Sequence, residues 1–320
     1  MPPDAPPPRA AARPAISVII CTRDRPDKVM ACLGSLALAA RAIDAGVEVL
    51  VLENGSPPPQ ALSEAALAAQ SGGRARLIRL SQGNLSAARN VGMARARGQL
   101  LVFVDDDCLL EPDYLTQALR HWRGAAGPFL IGGRVRLDDP TDLPFTIRDD
   151  PQPHAFDIHT HPGGFIPGCN FIVTRETALA IGWFDTRFGA GAKFRAGEDT
   201  DYTIRAFGAG VAVRYVPDMA VRHAHGRKTF ADIDRLNRDY AFANGAILAK
   251  HLLRHPWLAR HLVWTMRAAV MERLGGPGFD TRIGLTWGSV SDGQIKGALA
   301  YLADVLRPKG RSPAPKAAAG

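Results

Sequence analysis

Short β-branched and aliphatic runs alternate with stretches of helical periodicity through the first third of the chain. Ile16 to Cys21 (ISVIIC), Val47 to Leu52 (VEVLVL), Ala75 to Leu80 and Gln99 to Val104 (QLLVFV) predict four buried strands. Pro26 opens a predicted helix to about Ala40, in the first turn, where its missing N–H is not needed. Asn84 predicts the cap of a helix from Leu85 to Arg97, which Gly98 ends. Strands and helices alternating at this spacing predict an α/β fold with a mostly parallel sheet and helices on both faces.

After Asp107 the alternation fails. A helix from about Pro112 to Trp122 and a strand near Phe129 to Leu137 are expected. Asp138 to Gly164 is rich in Pro, Asp and His and of a length that suits a lid or an acceptor-binding loop. Strands near Asn170 to Thr174, Val211 to Tyr215 and Met219 to Ala224 return to the sheet, with a helix around Glu198 to Phe207 among them. From about Phe230 to Ala303 the pattern is mostly helical, broken at Pro256 and around Gly275 to Gly278.

Composition refines this picture. With 320 residues, 46% of them hydrophobic, the chain suits one large domain or a domain with an appendage. The opening MPPDAPPPRAAARPA lacks the apolar centre of a signal peptide, so residues 1–14 are expected to be a disordered lead-in. The basic, proline-containing residues 306–320 are expected to be a disordered tail. No run approaches the roughly 18 apolar residues of a spanning helix. Cys21, Cys32, Cys108 and Cys169 form no CxxC pair and suit free buried thiols in a reducing cytoplasm. The formal charge of +8 suits an anionic partner: nucleotide phosphate, nucleic acid or membrane. With no zinc finger, RNP-type block or basic zipper, nucleic acid is not expected.

Candidate chemistry gathers at strand ends, where open α/β sheets bind ligands. The first strand runs into Thr22, Arg23 and Arg25, which can reach a nucleotide. The second ends in Glu53 and Asn54, suited to a base or ribose contact or to a plain turn. Arg89 and Asn90 lie inside a helix; Arg89 can pair with acidic groups or hold a phosphate. LLVFV delivers Asp105, Asp106 and Asp107, with alternation placing Asp105 and Asp107 on one side. Three adjacent carboxylates invite a cation, and oxygen ligands suit Mn²⁺ or Mg²⁺. Glu198, Asp199 and Asp201 crowd a helix start; one could serve as general base, or Asp199 as a cap, and Asp201 could pair with Arg205 on the helix surface. His223 and His225 sit two apart at a strand end and either could complete a metal shell, while Arg227 and Lys228 could hold a diphosphate or form a basic loop.

Taken together, from Ile16 to Lys228 the sequence resembles family 2 glycosyltransferases of the GT-A fold. The resemblance rests on the order of SVIICTRDRP, VLVLENGS, GNLSAARNVGMARARGQLLVFVDDD, GCNFIVTRETALAIGWFDTRFGAG and GEDTDYTIRAFGAG. It departs where Glu53-Asn54 replaces an acidic pair, Trp183 a glycine and Tyr202 a leucine. It implies a Rossmann-like αβα sandwich at 15–229, with a helical region at 230–305, and an inverting transfer from a nucleotide-diphosphate sugar, with uridine the expected base. By position it implies Glu53 at the nucleobase, Thr22 and Arg23 beside the nucleotide, and Asp105 at the ribose. Asp107 and His223 (alternate His225) would hold Mn²⁺ or Mg²⁺. Asp199 would be the catalytic base, Glu198 would place acceptor or donor, and Gly168, Asn170 and Trp183 would belong to the acceptor or donor pocket.

Two other readings remain open: a nucleotidyltransferase acting on sugar phosphates, and a non-catalytic nucleotide- or glycan-binding relative. The acceptor is expected to be a glycan or a lipid-linked saccharide. The C-terminal helices either close the acceptor side, form a homodimer, or make a peripheral contact with the inner face of the membrane.

Overall fold

The computed structural model describes residues 13–57, 62–281 and 283–307. The expected lead-in and tail therefore lie, but for two residues each, outside the described residues. The first half runs β1 (Ile16–Thr22), α1 (Pro26–Arg41), β2 (Val47–Asn54), α2 (Glu64–Ser71), β3 (Ala75–Leu80), α3 (Leu85–Arg95), β4 (Leu100–Asp105), β5 (Cys108–Leu110), α4 (Tyr114–Arg123) and β6 (Phe129–Leu137). It continues through β7 (His154–Ala155), β8 (Asn170–Thr174), α5 (Arg175–Ile181), α6 (Glu198–Gly208) and β9 (Ala212–His223). Three helices follow: α7 (Phe230–His251), α8 (Ala259–Arg273) and α9 (Trp287–Leu306).

All nine strands form one mixed sheet in the order β3-β2-β1-β4-β8-β6-β9-β5, with β7 against β9. The β1, β2, β3 and β4 pairings are parallel, and β8 enters antiparallel between β4 and β6. β1 and the apolar part of β4 are buried on both sides, as expected for central strands covered by helices on both faces. One hydrophobic core lies under α1, α2 and α4, and a second under α3, α5 and α6.

Several boundaries differ from the sequence expectation. Helix α3 stops at Arg95, with Ala96 already extended. Gly98 instead passes against the start of β1, where a Cβ would lie 2.6 Å from the Ile16 backbone. The two strands expected from 211 to 224 are one long strand, β9, parallel to β6. A register shift at Gly133/Arg134 lets β9 run through Pro217 and Asp218 without ending. The short elements α2, α5, β5 and β7 were too brief for periodicity to reveal.

That shift explains Asn170. The sequence resemblance places it in the acceptor or donor pocket; the structure buries it completely behind the sheet. Its amide donates to the carbonyls of Arg134 and Met219, and its oxygen accepts from Tyr114 Oη at 2.7 Å. It satisfies backbone groups that the irregular pairing leaves without ladder partners. Gly133 is required at the same spot, since a Cβ there would meet Met219 O at 2.0 Å. Asn170→Ala is expected to lower the unfolding free energy by about 1–3 kcal/mol, read from urea titrations; an unchanged midpoint would show that the amide is not needed.

Candidate active site

The carboxyl ends of β1 and β4 open into a cleft of about 720 Å³. Thr22, Arg23, Arg25, Asn54, Arg89, Asp105, Asp107, Gly168, Glu198, Asp199, His223 and Arg227 all line it. The two acidic groups singled out from sequence, one closing β4 and one opening α6, therefore face the same space.

Arg89 joins them. Its Nη1 donates to Glu198 Oε1 at 2.7 Å, and its Nη2 to the Gly168 carbonyl at 2.8 Å and to Asp105 Oδ1 at 3.2 Å. The side chain is 2% exposed, and its guanidinium carbon lies 5.9 and 5.7 Å from the ring centres of Phe171 and Phe184. A buried planar cation with three acceptors fixes the relative positions of α3, β4, the turn before β8, and α6. The neighbouring Asn90 clasps the Phe184 backbone in both directions, at 2.9 and 2.8 Å, so its role is packing.

Asp199 is held from both oxygens: Oδ2 accepts from Gly168 N at 2.9 Å and Oδ1 from Thr200 N at 2.6 Å. Gly168 permits this approach, because a Cβ there would lie 2.8 Å from Asp199 Oδ2. Burial raises the proton affinity of Asp199, with Arg89 opposing. Burial likewise pushes Glu198 up to about 7 against the pull of Arg89. Asp201 is not on a helix surface. It is fully buried and accepts from Arg205 Nε (3.0 Å), Lys250 Nζ (2.5 Å) and His251 Nε2 (2.7 Å), which fastens α7 to α6.

Asp106 and Asp107 lie in a turn beyond β4, so strand alternation does not govern them. Asp105 and Asp107 line the cleft; Asp106 is fully buried and does not. Charge repulsion alone does not demand a metal, because Arg25 reaches Asp106 at 2.6 Å and Asp107 at 2.9 Å, and Arg89 serves Asp105. The donor set is what favours a cation. Asp107 Oδ1 is buried with no hydrogen-bond partner and faces His223 Nε2 at 3.3 Å. Burial opposes charge on both groups, yet His223 and Arg25 hold Asp107 well below the usual carboxylate range, and Asp107 holds His223 up at about 9. A carboxylate oxygen and an imidazole nitrogen this close fit a divalent cation, which would replace the imidazolium proton. Cys108 completes the same cluster geometrically, but burial raises its thiol far above neutrality and sulfur is a poor match for Mn²⁺ or Mg²⁺.

Besides Asp106, four expected site residues fall outside the cleft lining. Glu53 is buried and paired with Arg79 at 2.9 Å, while its neighbour Asn54 braces Asn84 N at 2.9 Å. Asn170 is the sheet bracket described above. Trp183 is half exposed. His225 lies past the end of β9, with Nδ1 accepting from Arg227 N at 3.0 Å and 3.4 Å from Asp142. The rings of His223 and His225 meet edge to face, with centres 5.0 Å apart.

The far wall was not legible in the sequence. Residues 145–148, His161, Gly163 and Gly164 of the long loop line it, together with Asn237, Tyr240 and Asn244 of α7, Trp264 and Thr265 of α8, and Gln294 of α9. Asn237 Nδ2 and Gln294 Oε1 are buried there without partners. Amides inside helices carry no periodic signal, so only the fold brings them to the cleft.

The family profile described as glycosyl transferase family 2 matches residues 17–181, more than half of the chain, and that of glycosyl transferase family group 2 matches 100–274. The succinoglycan biosynthesis protein ExoM of Rhizobium meliloti is 26% identical over 253 residues, covering 76% of this chain and 78% of that protein. Among solved structures, the mannosyltransferase PcManGT of Pyrobaculum calidifontis, in complex with GDP-Man and Mn²⁺, superposes with a TM-score of 0.58 at 18% identity, over 92% of this chain and 88% of that one. TarS 1–349 of S. aureus with UDP-GlcNAc gives 0.52 at 16%, over 89% of each. At such identities the structural likeness speaks for the fold, which is GT-A with a helical C-terminal region.

The pKa of Glu198 has a consequence for stability. The folded protein holds this proton more tightly than the unfolded chain, so its contribution is complete below the ordinary 4.5 and fades as pH rises towards 7. The stability difference between the wild type and Glu198→Gln is therefore expected to fall across that window in metal-free denaturant titrations; a flat difference would contradict the shift.

Proposed function

The chain belongs to glycosyl transferase family 2, and on that premise we propose that it moves a hexose, with inversion, from a nucleoside-diphosphate donor to a hydroxyl of a glycan or lipid-linked saccharide. A UDP-sugar is the donor to test first. The single observation that carries this reading is that Asp107 and Asp199 line one cleft, braced through Arg89.

Each residue has a task in that reading. Thr22, Arg23 and Asn54 receive the nucleoside at the ends of β1 and β2, and Asp105 takes the ribose. Arg227 stands on the opposite wall, with Nη1 on Thr146 Oγ1 at 3.2 Å, and can swing onto the diphosphate. Bound by Asp107 and His223, Mn²⁺ or Mg²⁺ would stabilise the negative charge of the departing diphosphate as a Lewis acid. Asp199 accepts the acceptor proton as that oxygen attacks the anomeric carbon. Two backbone N–H groups fix its orientation, and burial raises its basicity. Glu198, neutralised by Arg89, orients a sugar hydroxyl. The polar side chains of α7 and α9 form the acceptor side, which gives the helical region 230–305 a part in the site beside the domain at 15–229.

Asp199→Asn should lower transfer about 10²–10⁴-fold and leave nucleotide affinity nearly intact; full activity would reject it as the base. Asp107→Ala should remove the gain in nucleotide affinity that Mn²⁺ gives in calorimetric titration. Identical titrations of that variant and the wild type, with and without Mn²⁺, would reject the metal assignment.

A further inference from the structure

Helix α8 carries a row of exposed aliphatic and basic side chains. Val263, Val270 and Leu274 are 63, 56 and 76% exposed, and Arg260, before Val263, and Arg267, between Val263 and Val270, are exposed as well. The five positions fall at spacings of three and four, so they form one stripe of alternating arginine and aliphatic side chains. On α9, Ile295, Leu299, Leu302 and Leu306 repeat at four, three and four and are 46 to 79% exposed. Exposed apolar stripes on two neighbouring helices need a partner.

The charge pattern selects one. From residue 252 to 320 the sequence holds ten basic side chains against four acidic ones. Arg267 and Arg273 have no ion-pair partner among the described residues. Facing a second copy about a two-fold axis, the α8 stripe would press unpaired arginines into an apolar interface, which is costly. At a bilayer surface the same side chains extend their guanidinium groups to lipid phosphates while the aliphatic groups enter the acyl boundary. No described helix is long and apolar enough to cross a membrane.

The stripe also adjoins the cleft. Trp264 is 53% exposed on α8 yet lines the cleft, and its ring meets that of Trp287 at 4.7 Å. Phe279, 41% exposed, packs on Trp287 from another side and also lines the cleft. An aromatic rim therefore runs from the outer surface into the acceptor side. We propose that the exposed face of α8 and α9 docks on an anionic lipid bilayer, so that the cleft opens to acceptors held at that surface. This deepens the proposed function and rests on it for its purpose, while the docking itself can be tested separately.

The test is co-sedimentation of the full chain with vesicles of phosphatidylglycerol and phosphatidylcholine, and of phosphatidylcholine alone, at low and high salt. Binding to the anionic vesicles is expected, and it should weaken in salt. Val270→Glu with Leu274→Glu should abolish it. Arg267→Gln with Arg273→Gln, which disturbs no packing, should weaken it about five-fold per arginine. UDP affinity with Mn²⁺ should stay at the wild-type value in both, since neither pair touches the cleft. No binding to anionic vesicles at either salt overturns the proposal, as does unaltered binding by both variants. A lipid-free dimer that the glutamate pair dissolves would assign the face to a second copy and overturn it too. Vesicle binding by a protein that fails to bind any nucleotide would leave the docking face standing and reject the proposed function.

Discussion

One buried guanidinium holds the cleft together. Arg89 extends from α3 to a carboxylate on β4, a carbonyl before β8 and a carboxylate at the start of α6, so one side chain joins four elements around the cleft. Removing a charge of this kind leaves buried acceptors unpaired, typically at a cost of about 3–5 kcal/mol. The surrounding Phe171 and Phe184 exclude water and so strengthen each contact. The shape of the cleft thus depends on the hydrogen bonds of a single buried side chain.

Around that centre the acidic groups divide by environment. Asp107 faces Arg25 and His223 and is held in its charged form, as a cation ligand must be. Asp199 has only backbone N–H partners and Thr200 nearby, in a buried setting that raises its affinity for a proton. Two aspartates are thereby pushed in opposite directions, the separation expected when one binds charge and another moves a proton. Asp201, two residues from Asp199, is buried under Lys250 and His251 and ties α7 to α6.

Strand periodicity and the clustering of carboxylates at strand ends made the sheet and half of the cleft readable from sequence. Arg89 announced itself as a cation inside a helix just ahead of an acidic strand end. Other residues lie away from the cleft lining for physical reasons. Asn170 sits in the family-like segment yet serves a register shift that no local pattern reveals. His225 follows the strand's end, so alternation could not orient it. Glu53 found a partner, Arg79, on the adjacent strand. The far wall of the cleft was illegible because Asn237 and Gln294 are polar residues on otherwise ordinary helices, brought in by tertiary packing. Gly297 and Gly245 allow that packing: a Cβ on either would collide with the facing helix backbone, at 1.8 Å from Phe242 O or 1.9 Å from Gln294 O.

What occupies the space between the two aspartates decides which chemistry the cleft performs. Anomalous diffraction at the manganese edge, from crystals grown with Mn²⁺ and a non-hydrolysable UDP-sugar, addresses it directly. It should show one ion bonded to Asp107 and His223, with the anomeric carbon turned towards Asp199 and Arg89 still spanning Glu198 and Gly168. A manganese peak away from Asp107, or a nucleotide bound outside this cleft, would contradict it.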